Sequence, residues 1–265
     1  MRTIAVMNLK GGTAKTVTAL SMASILARDY ALRVLLVDAD SQANLTEFVS
    51  LPAPKDLPQP GGLADLLRGM TAYAVPTNIP NTHLIAADET LMALDVTAAG
   101  TGAADPMALS DWLEAACKQL PSCRWDWCVI DCPPAFSAGA AAALIAADEV
   151  VIPLKLDAFG VRGLANLFEQ IQNMRRLNAG LEIAGVLPTM YYPSAQQEKT
   201  LQELKDSLKP LGIRVFDPIR RSPKVDAMTF EQIPIELFSP RSNPARDYRL
   251  FVRDLVKEGG EQDGV

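Results

Sequence analysis

Short runs of consecutive apolar residues alternate along this chain with segments whose apolar positions recur every three or four residues. Runs of the first kind are typical of parallel strands that are buried on both faces, and segments of the second kind are typical of amphipathic helices. The alternation predicts an α/β fold, a three-layer sandwich with a mostly parallel, twisted sheet between helices. The predicted strands are residues 3–7, 34–38, 82–86, 127–131, 149–154, 183–190 and 213–216, and the predicted helices 16–28, 63–70, 88–94, 106–119, 161–177, 196–208 and 244–258.

A glycine-rich segment connects the first strand to the first helix. A loop of this kind can surround phosphate groups with backbone N–H groups, and the helix N-terminus adds a partial positive charge. Lys15 can reach the β and γ phosphates, and Thr16 can offer a hydroxyl to Mg²⁺. The pattern departs from G-x-x-x-x-G-K-S/T, because Leu9 and Ala14 stand where its two glycines belong. The alternative interpretation is a chance Gly-Gly turn between a strand and a helix.

Acidic residues follow two of the predicted buried strands. Asp38 and Asp40 end the second strand, and Asp131 ends the strand at 127–131. Ligands of open parallel sheets bind at the carboxyl edge, so the three carboxylates should face the phosphates. An acid after an apolar strand is also what a nucleoside triphosphatase uses to hold the water shell of Mg²⁺. The alternative is that these acids merely end strands and cap the next helices.

Four segments of the chain match known sequence motifs. The loop reads Lys-Gly-Gly-x-x-Lys-Thr and begins with a second lysine, Lys10. Residues 38–46 read D-x-D-x-Q-x-N-x-T, residues 131–134 read D-x-P-P, and residues 219–227 are similar to I-R-x-S-x-x-V-x-E-A. These motifs resemble those of the ParA/MinD ATPases, which have a deviant phosphate loop, and in particular those of the short ParA/Soj-like partition ATPases. The resemblance covers nearly the whole chain and implies a P-loop NTPase fold with ATP and Mg²⁺ as cofactors.

The resemblance also implies roles for individual residues. Lys10, Lys15 and Asp40 would be catalytic: Lys10 reaches the partner's phosphates in a nucleotide-sandwich homodimer, and Asp40 orients the attacking water. Thr16, Asp38 and Asp131 would serve the metal. The nucleotide would contact Lys10, Gly11, Gly12, Thr13, Ala14, Lys15, Thr16 and Val17, and its base would lie near Met190, Pro218 and Arg220.

Two departures from the family pattern bear on nucleotide binding. Ala14 and Val17 are not the usual residues, and Ala14 requires backbone angles that tolerate a Cβ, which puts tight binding in question. The family often has Asn or Asp near the base, where this chain has Met190-Tyr191-Tyr192. The sequence therefore predicts different contacts to the base.

The charge distribution concerns possible partners. The net charge is −6, yet residues 218–257 contain eight basic and five acidic side chains. The resemblance implies nonspecific DNA bound through its phosphates, for which the candidates are Arg221, Lys224, Arg241, Arg246 and Arg249. Solvated arginines with local ion pairs are the alternative.

Three further patterns limit the class of protein. Cys117, Cys123, Cys128 and Cys132 form no C-x-x-C pair and are expected to be reduced thiols of a cytoplasmic protein, not the cluster ligands of a nitrogenase-type iron protein. No apolar run reaches the roughly 18–20 residues of a membrane helix, and we expect neither a signal peptide nor a preceding DNA-reading domain. The acidic end of the last helix disfavours a MinD-type membrane contact. We expect a single domain over 1–258 and a flexible acidic tail over 259–265.

The resemblance therefore implies a ParA-like ATPase, cytoplasmic and nucleoid-associated, that hydrolyses ATP slowly under stimulation by a ParB-like partner. Its output would be segregation or positioning of a plasmid, chromosome or mobile element. The alanine-rich residues 135–147 would sense the γ-phosphate and line the dimer face. The alternatives are a MinD-like membrane-associated ATPase, a weakly hydrolysing ATP-dependent scaffold or regulator, and a small-molecule ATPase related to dethiobiotin synthetase.

Overall fold

The sheet has β1 near its middle, where both faces are buried. In the computed structural model, which describes residues 1–52, 61–97, 104–119 and 125–262, the strand order is β3-β4-β2-β5-β1-β6-β7. All neighbours are parallel except β3 and β4. The strands are β1 Arg2–Val6, β2 Val34–Asp38, β3 Val75–Pro76, β4 Thr82–Ile85, β5 Trp127–Asp131, β6 Glu149–Lys155 and β7 Glu182–Thr189. The predicted α/β sandwich is confirmed.

Two layers of helices cover the sheet. The helices are α1 Lys15–Asp29, α2 Asn44–Val49, α3 Leu63–Leu67, α4 Thr90–Thr97, α5 Ala108–Gln119, α6 Ala138–Ala146, α7 Ala158–Met174, α8 Ala195–Leu208, α9 Pro223–Glu231, α10 Ile235–Phe238 and α11 Asn243–Gln262. Alternate residues of each strand enter opposite cores, so Ile4 packs with α1, α2 and α9–α11, whereas Ala5 packs with α3–α8. Both faces of β1 therefore require apolar residues.

The strand register brings the predicted acids together. Asp131 lies opposite Val6 of β1 on one side and opposite Asp38 of β2 on the other. The carboxyl ends of these three neighbouring strands therefore meet at one edge, where the chain leaves β1 for the glycine-rich loop.

One predicted strand is wrong. Residues 213–216 form an isolated bridge between Val215 and Val186, not a ladder. Phe216 is buried, but its ring approaches Gly185 so closely that a Cβ there would lie 2.7 Å from a ring carbon. The apolar pattern correctly indicated burial of Phe216, but the segment bonds to β7 only through Val186, by two backbone hydrogen bonds.

Other differences lie in short or terminal elements. The pattern missed β3, which has two residues and includes an edge proline, and it missed α2, α6, α9 and α10. Helix α11 extends to Gln262, beyond the predicted end at 258, and the predicted domain boundary stays a prediction. Most of the predicted loops at 51–60 and 97–105, residues 263–265 and Cys123 lie outside the described residues. Within the described residues, no helix is both long and apolar enough to cross a membrane.

Candidate functional site

Hydrogen bonds connect the loop between β1 and α1 to β6 and β7, the two strands on one side of β1. The Asn8 side chain donates from Nδ2 to the Pro153 carbonyl at 2.7 Å, and its Oδ1 accepts from the Lys10 N–H at 3.0 Å. The Thr189 hydroxyl donates to the Thr13 carbonyl at 3.1 Å. Strands β6 and β7 therefore fix the shape of the loop at both ends.

The backbone of the loop leaves an open concavity. A Cβ on Gly11 or Gly12 would meet no atom within 4 Å, and Gly12 has φ +68, which favours glycine. Ala14 also adopts the left-handed region, at φ 62 and ψ 34, as the residue before α1. A left-handed conformation costs a non-glycine residue on the order of 1 kcal/mol or more. The backbone thus takes a glycine-like conformation at Ala14 despite its Cβ.

Lys15 is the first residue of α1 and lies inside the concavity. Its side chain is buried, with 7% exposed, and Nζ donates to the Lys10 carbonyl at 2.9 Å. Burial lowers the pKa of Lys15, and the nearby Asp131 and Asp40 oppose that effect. An ammonium group that donates to one carbonyl beside an open loop can exchange that carbonyl for a phosphate oxygen, which forms a stronger, charge-assisted hydrogen bond.

Asp131 is a buried carboxyl group that lacks a full set of partners. It is 1% exposed, and its Oδ1 has no hydrogen-bond partner. Burial raises the pKa of Asp131 well above its usual range, as does the nearby Asp38, whereas a hydrogen bond from Thr16 lowers it. An unpartnered buried oxygen costs free energy unless a cation, a proton or water satisfies it.

The Thr16 hydroxyl and the Asp131 carboxyl group are oxygen ligands of the kind that Mg²⁺ prefers. No three His, Cys, Asp or Glu side chains converge as a metal-ligand group in the described part of the chain. A cation here would therefore depend on Thr16 and Asp131, with water and phosphate oxygens completing its shell. Mg²⁺ is commonly bound in this way, through one or two protein oxygens and several waters.

Asp38 is placed differently from Asp131, although both were predicted to serve the metal. Its Oδ2 accepts from the Thr46 N–H at 2.8 Å and from the Thr46 hydroxyl at 2.9 Å, and its Oδ1 accepts from the Asp40 N–H at 3.1 Å. Burial raises the pKa of Asp38 to about 6, although the Thr46 bonds act against this. The carboxyl group of Asp38 thus positions Asp40 and α2, and its predicted metal contact stays a prediction.

Asp40 and Lys10 lie at the entrance of the concavity. Asp40 is partly exposed, and its Oδ1 accepts from the Gln42 N–H at 3.0 Å. The stem of Lys10 lies against α7, where a Cβ on Gly163 would come 3.0 Å from Lys10 Cε. Their predicted roles in water activation and across a dimer stay predictions. Val17 follows Thr16 on α1 and is half-buried.

A cavity of about 280 Å³ adjoins the loop on the β7 side. Of the three residues predicted near the base, Met190 and Arg220 line this cavity with Ala14, and Pro218 is not among the lining residues described. The Arg220 guanidinium is held by Asp247, with Nη2–Oδ1 at 2.6 Å and Nε–Oδ2 at 2.9 Å. The cavity also contains residues that the sequence did not single out, including Gln197 and Tyr192.

The predicted DNA-binding residues differ in their surroundings. Arg221, Lys224, Arg241 and Arg246 are exposed. Arg249 is engaged within the chain: Nε pairs with Asp29 at 3.0 Å, and the guanidinium also donates to the carbonyls of Pro240 and Glu236. Arg249 thus ties α11 to α1 and α10, whereas the other four side chains are open to a ligand.

A strand–loop–helix cradle, a buried lysine and a threonine–aspartate pair at the carboxyl edge of a parallel sheet define a P-loop nucleotide-binding protein. Residues 1–183 match the family model described as an AAA domain. The chain is 34% identical over 262 residues to the chromosome-partitioning ATPase Soj of Thermus thermophilus, covering 97% of this chain and 96% of Soj.

Solved structures agree with this match. Apo McdA from Cyanothece superposes with a TM-score of 0.81 at 25% identity, covering 97% of this chain and 99% of McdA. Cobyrinic acid a,c-diamide synthase from Mycobacterium smegmatis, solved with ADP and magnesium, superposes with a TM-score of 0.77 at 27% identity, covering 98% of this chain and 96% of that protein. The chain therefore belongs to the AAA-domain family of P-loop ATPases and is a ParA/MinD-type member related to the partition ATPases.

Proposed function

We propose that this protein binds ATP with Mg²⁺, closes into a nucleotide-sandwich homodimer that holds DNA nonspecifically, and hydrolyses ATP slowly under stimulation by a ParB-like partner. The cycle would position or segregate a plasmid, chromosome or mobile element on the nucleoid, in the cytoplasm. The observation that carries the proposal is that a buried lysine, Lys15, and a buried carboxyl group with an unpartnered oxygen, Asp131, both lie beside an open glycine-rich loop.

Each part of the site has a task in this proposal. Backbone N–H groups of the loop and the Lys15 ammonium bind the β and γ phosphates. Thr16 and Asp131 hold the metal ion, which when bound neutralises charge that develops on the phosphates. Asp40 orients water for in-line attack, and Lys10 of each subunit completes the other subunit's site. Asp38 holds the backbone of Asp40 in place for this task.

The basic face supports DNA as the ligand. Arg221, Lys224, Arg241 and Arg246 are exposed on a chain whose net charge is −6. The local positive charge would bind phosphates, and affinity should fall steeply with salt. Because Arg249 is engaged with Asp29, we assign it a smaller share of DNA contact than the sequence alone suggested.

Burial of the last helix argues against the membrane-associated alternative. Tyr248, Phe251, Val252 and Leu255 of α11 are each at most 3% exposed, because they pack against the core that contains α1. An amphipathic helix needs an exposed apolar face to enter a lipid surface. The apolar face of α11 is used within the domain.

A nucleotide-binding titration tests the cradle. Lys15→Ala should abolish ATP binding measured by calorimetry in the presence of magnesium, because it removes the buried ammonium. Lys118→Ala, on the exposed side of α5, is a matched control that should bind normally. Retained micromolar affinity in the Lys15 variant would refute the cradle.

Turnover measurements distinguish the remaining functions. A partition ATPase should release phosphate faster with DNA and a partner present, and its DNA complex should require ATP. Bound ATP without phosphate release would favour a scaffold. Turnover that depends on a small-molecule acceptor and ignores DNA would favour a metabolic enzyme, the class to which the cobyrinic acid a,c-diamide synthase neighbour belongs.

A further inference from the structure

The cavity beside the loop has apolar walls and a polar end. Met190, Ile219 and Val225 contribute apolar surface, and Ala14 joins the cavity to the phosphate loop. A flat, aromatic base would find apolar contact for its faces here, and its ring nitrogens would need donors. The inference that follows rests on the proposed function, because it assumes that the nucleotide enters with its phosphates on the loop.

Gln197 is the side chain at the polar end whose orientation is fixed in advance. Its Oε1 accepts from the Tyr192 N–H at 2.7 Å, which joins the start of α8 to the chain after β7. The backbone N–H of Gln197 donates to the Oγ atom of Ser194, the N-cap residue of α8, at 3.3 Å. Because the carbonyl oxygen of the side-chain amide is occupied, the amide nitrogen Nε2, with its two N–H donors, is the group left for a molecule in the cavity.

Three of the other polar side chains that line the cavity already have partners, while Arg221 and Asp226, which also line it, are charged and exposed. The guanidinium of Arg220 is engaged with both oxygens of Asp247. Lys155 pairs with Asp157 at 3.3 Å, and the Ser222 hydroxyl accepts from the Lys224 N–H. Gln197 thus offers a neutral donor that needs no rearrangement before it can bind a base.

We propose that Gln197 is a specificity-determining residue that donates an N–H from Nε2 to a ring nitrogen of the adenine base. It would supply the polar contact for which the family often has Asn or Asp near the base, where this chain has Met190-Tyr191-Tyr192. A neutral hydrogen bond contributes about 0.5–1.5 kcal/mol, so its loss should weaken ATP binding about twofold to tenfold.

Two substitutions separate the base contact from the local hydrogen bond. Gln197→Glu retains an oxygen for the Tyr192 N–H but removes the amide donors, and Gln197→Ala removes both. Gln196→Ala, one residue earlier and exposed, is the matched control. Each protein is titrated with ATP, with 1-deaza-, 3-deaza- and 7-deaza-ATP, and with tripolyphosphate, in the presence of magnesium.

We expect Gln197→Ala to lose about twofold to tenfold in affinity for ATP and nothing for tripolyphosphate, and Gln197→Glu to lose more for ATP than for tripolyphosphate, because its carboxylate also repels phosphate groups. One deaza analogue should bind the wild type more weakly than ATP and should lose nothing further in Gln197→Ala. Unchanged ATP affinity in both Gln197 variants, or equal losses for every analogue in every variant, would overturn the proposal.

The design also separates this inference from the proposed function. If wild-type protein binds ATP and Lys15→Ala does not, the cradle stands, and the Gln197 result alone decides the base contact. If wild-type protein binds tripolyphosphate but shows no added affinity for ATP, the base contact is wrong while the phosphate cradle survives. If neither ligand binds, both proposals fall.

Discussion

Replacing Glu236 by glutamine should remove a pH-dependent loss of stability. Glu236 lies in α10 with 1% of its surface exposed, and neither oxygen of its carboxyl group has a hydrogen-bond partner. Ser24 of α1 lies close enough to lower the pKa of Glu236, as does Arg249 of α11, while Asp29 of α1 raises it. Burial dominates these effects and raises that pKa from 4.5 to about 7.

The sign and size of the effect follow from that pKa. The folded protein retains a proton on Glu236 that the unfolded chain has released above pH 4.5. The stabilisation is therefore complete below pH 4.5 and is lost as the pH rises to about 7. At ~1.36 kcal/mol per pKa unit, the interval corresponds to a loss of at most about 3 kcal/mol. Glutamine has nearly the same shape and carries no charge, so it should not show this loss.

Urea unfolding at pH 5, 6, 7 and 8 measures the effect. The free energy of unfolding of Glu236→Gln relative to wild type should rise by about 2–3 kcal/mol between pH 5 and 8. The groups whose pKa is also raised, Asp38 and Asp131, titrate in both proteins and cancel in the difference. Glu231→Gln, at an exposed position of α9, makes the same chemical change and is the matched control. Parallel curves for wild type and Glu236→Gln would refute the reasoning.

Three further substitutions test the site. Ala14→Gly removes the strain of a left-handed alanine and should raise the free energy of unfolding by about 1 kcal/mol in urea titrations; a decrease would show that the Cβ is needed. Thr46→Val removes the hydroxyl that donates to Asp38 and accepts from the Ala87 N–H, and should cost about 1–3 kcal/mol of stability, whereas Thr46→Ser should cost less; equal losses would exclude the hydroxyl as the cause. Asp40→Ala should bind ATP and form a dimer, as measured by light scattering, but should not release phosphate. Normal ATP turnover in this variant would show that Asp40 does not orient the attacking water.

The sequence pattern was sufficient to predict features that depend on a single strand or loop. The strand Trp127–Asp131 was predicted with its observed bounds, because five buried residues are followed at once by turn-forming residues. The loop from Lys10 to Thr16 and the acid at the end of β5 were placed correctly relative to the sheet, since parallel strands bring their carboxyl ends to one edge. Such features depend on residues close together in the sequence.

Pattern was insufficient where a side chain acts on a distant segment. Asp38 and Asp131 look alike in sequence, since each ends a buried strand. The fold gives Asp38 three hydrogen bonds from Asp40 and Thr46, and leaves an oxygen of Asp131 without a partner. Gln197 belongs to the predicted helix 196–208, and its place at the cavity depends on how α8 meets the end of β7.

The sequence by itself determined the α/β class, the phosphate loop and the family, because hydrophobic periodicity and motif spacing are local properties of the chain. Tertiary structure alone decided that residues 213–216 form a single bridge to β7 and that Ala14 adopts a left-handed backbone conformation. It also decided that Asp131, unlike Asp38, has a carboxyl oxygen without a hydrogen-bond partner. These outcomes depend on contacts between segments far apart in the chain, where packing and burial, not local preference, set the lowest free energy.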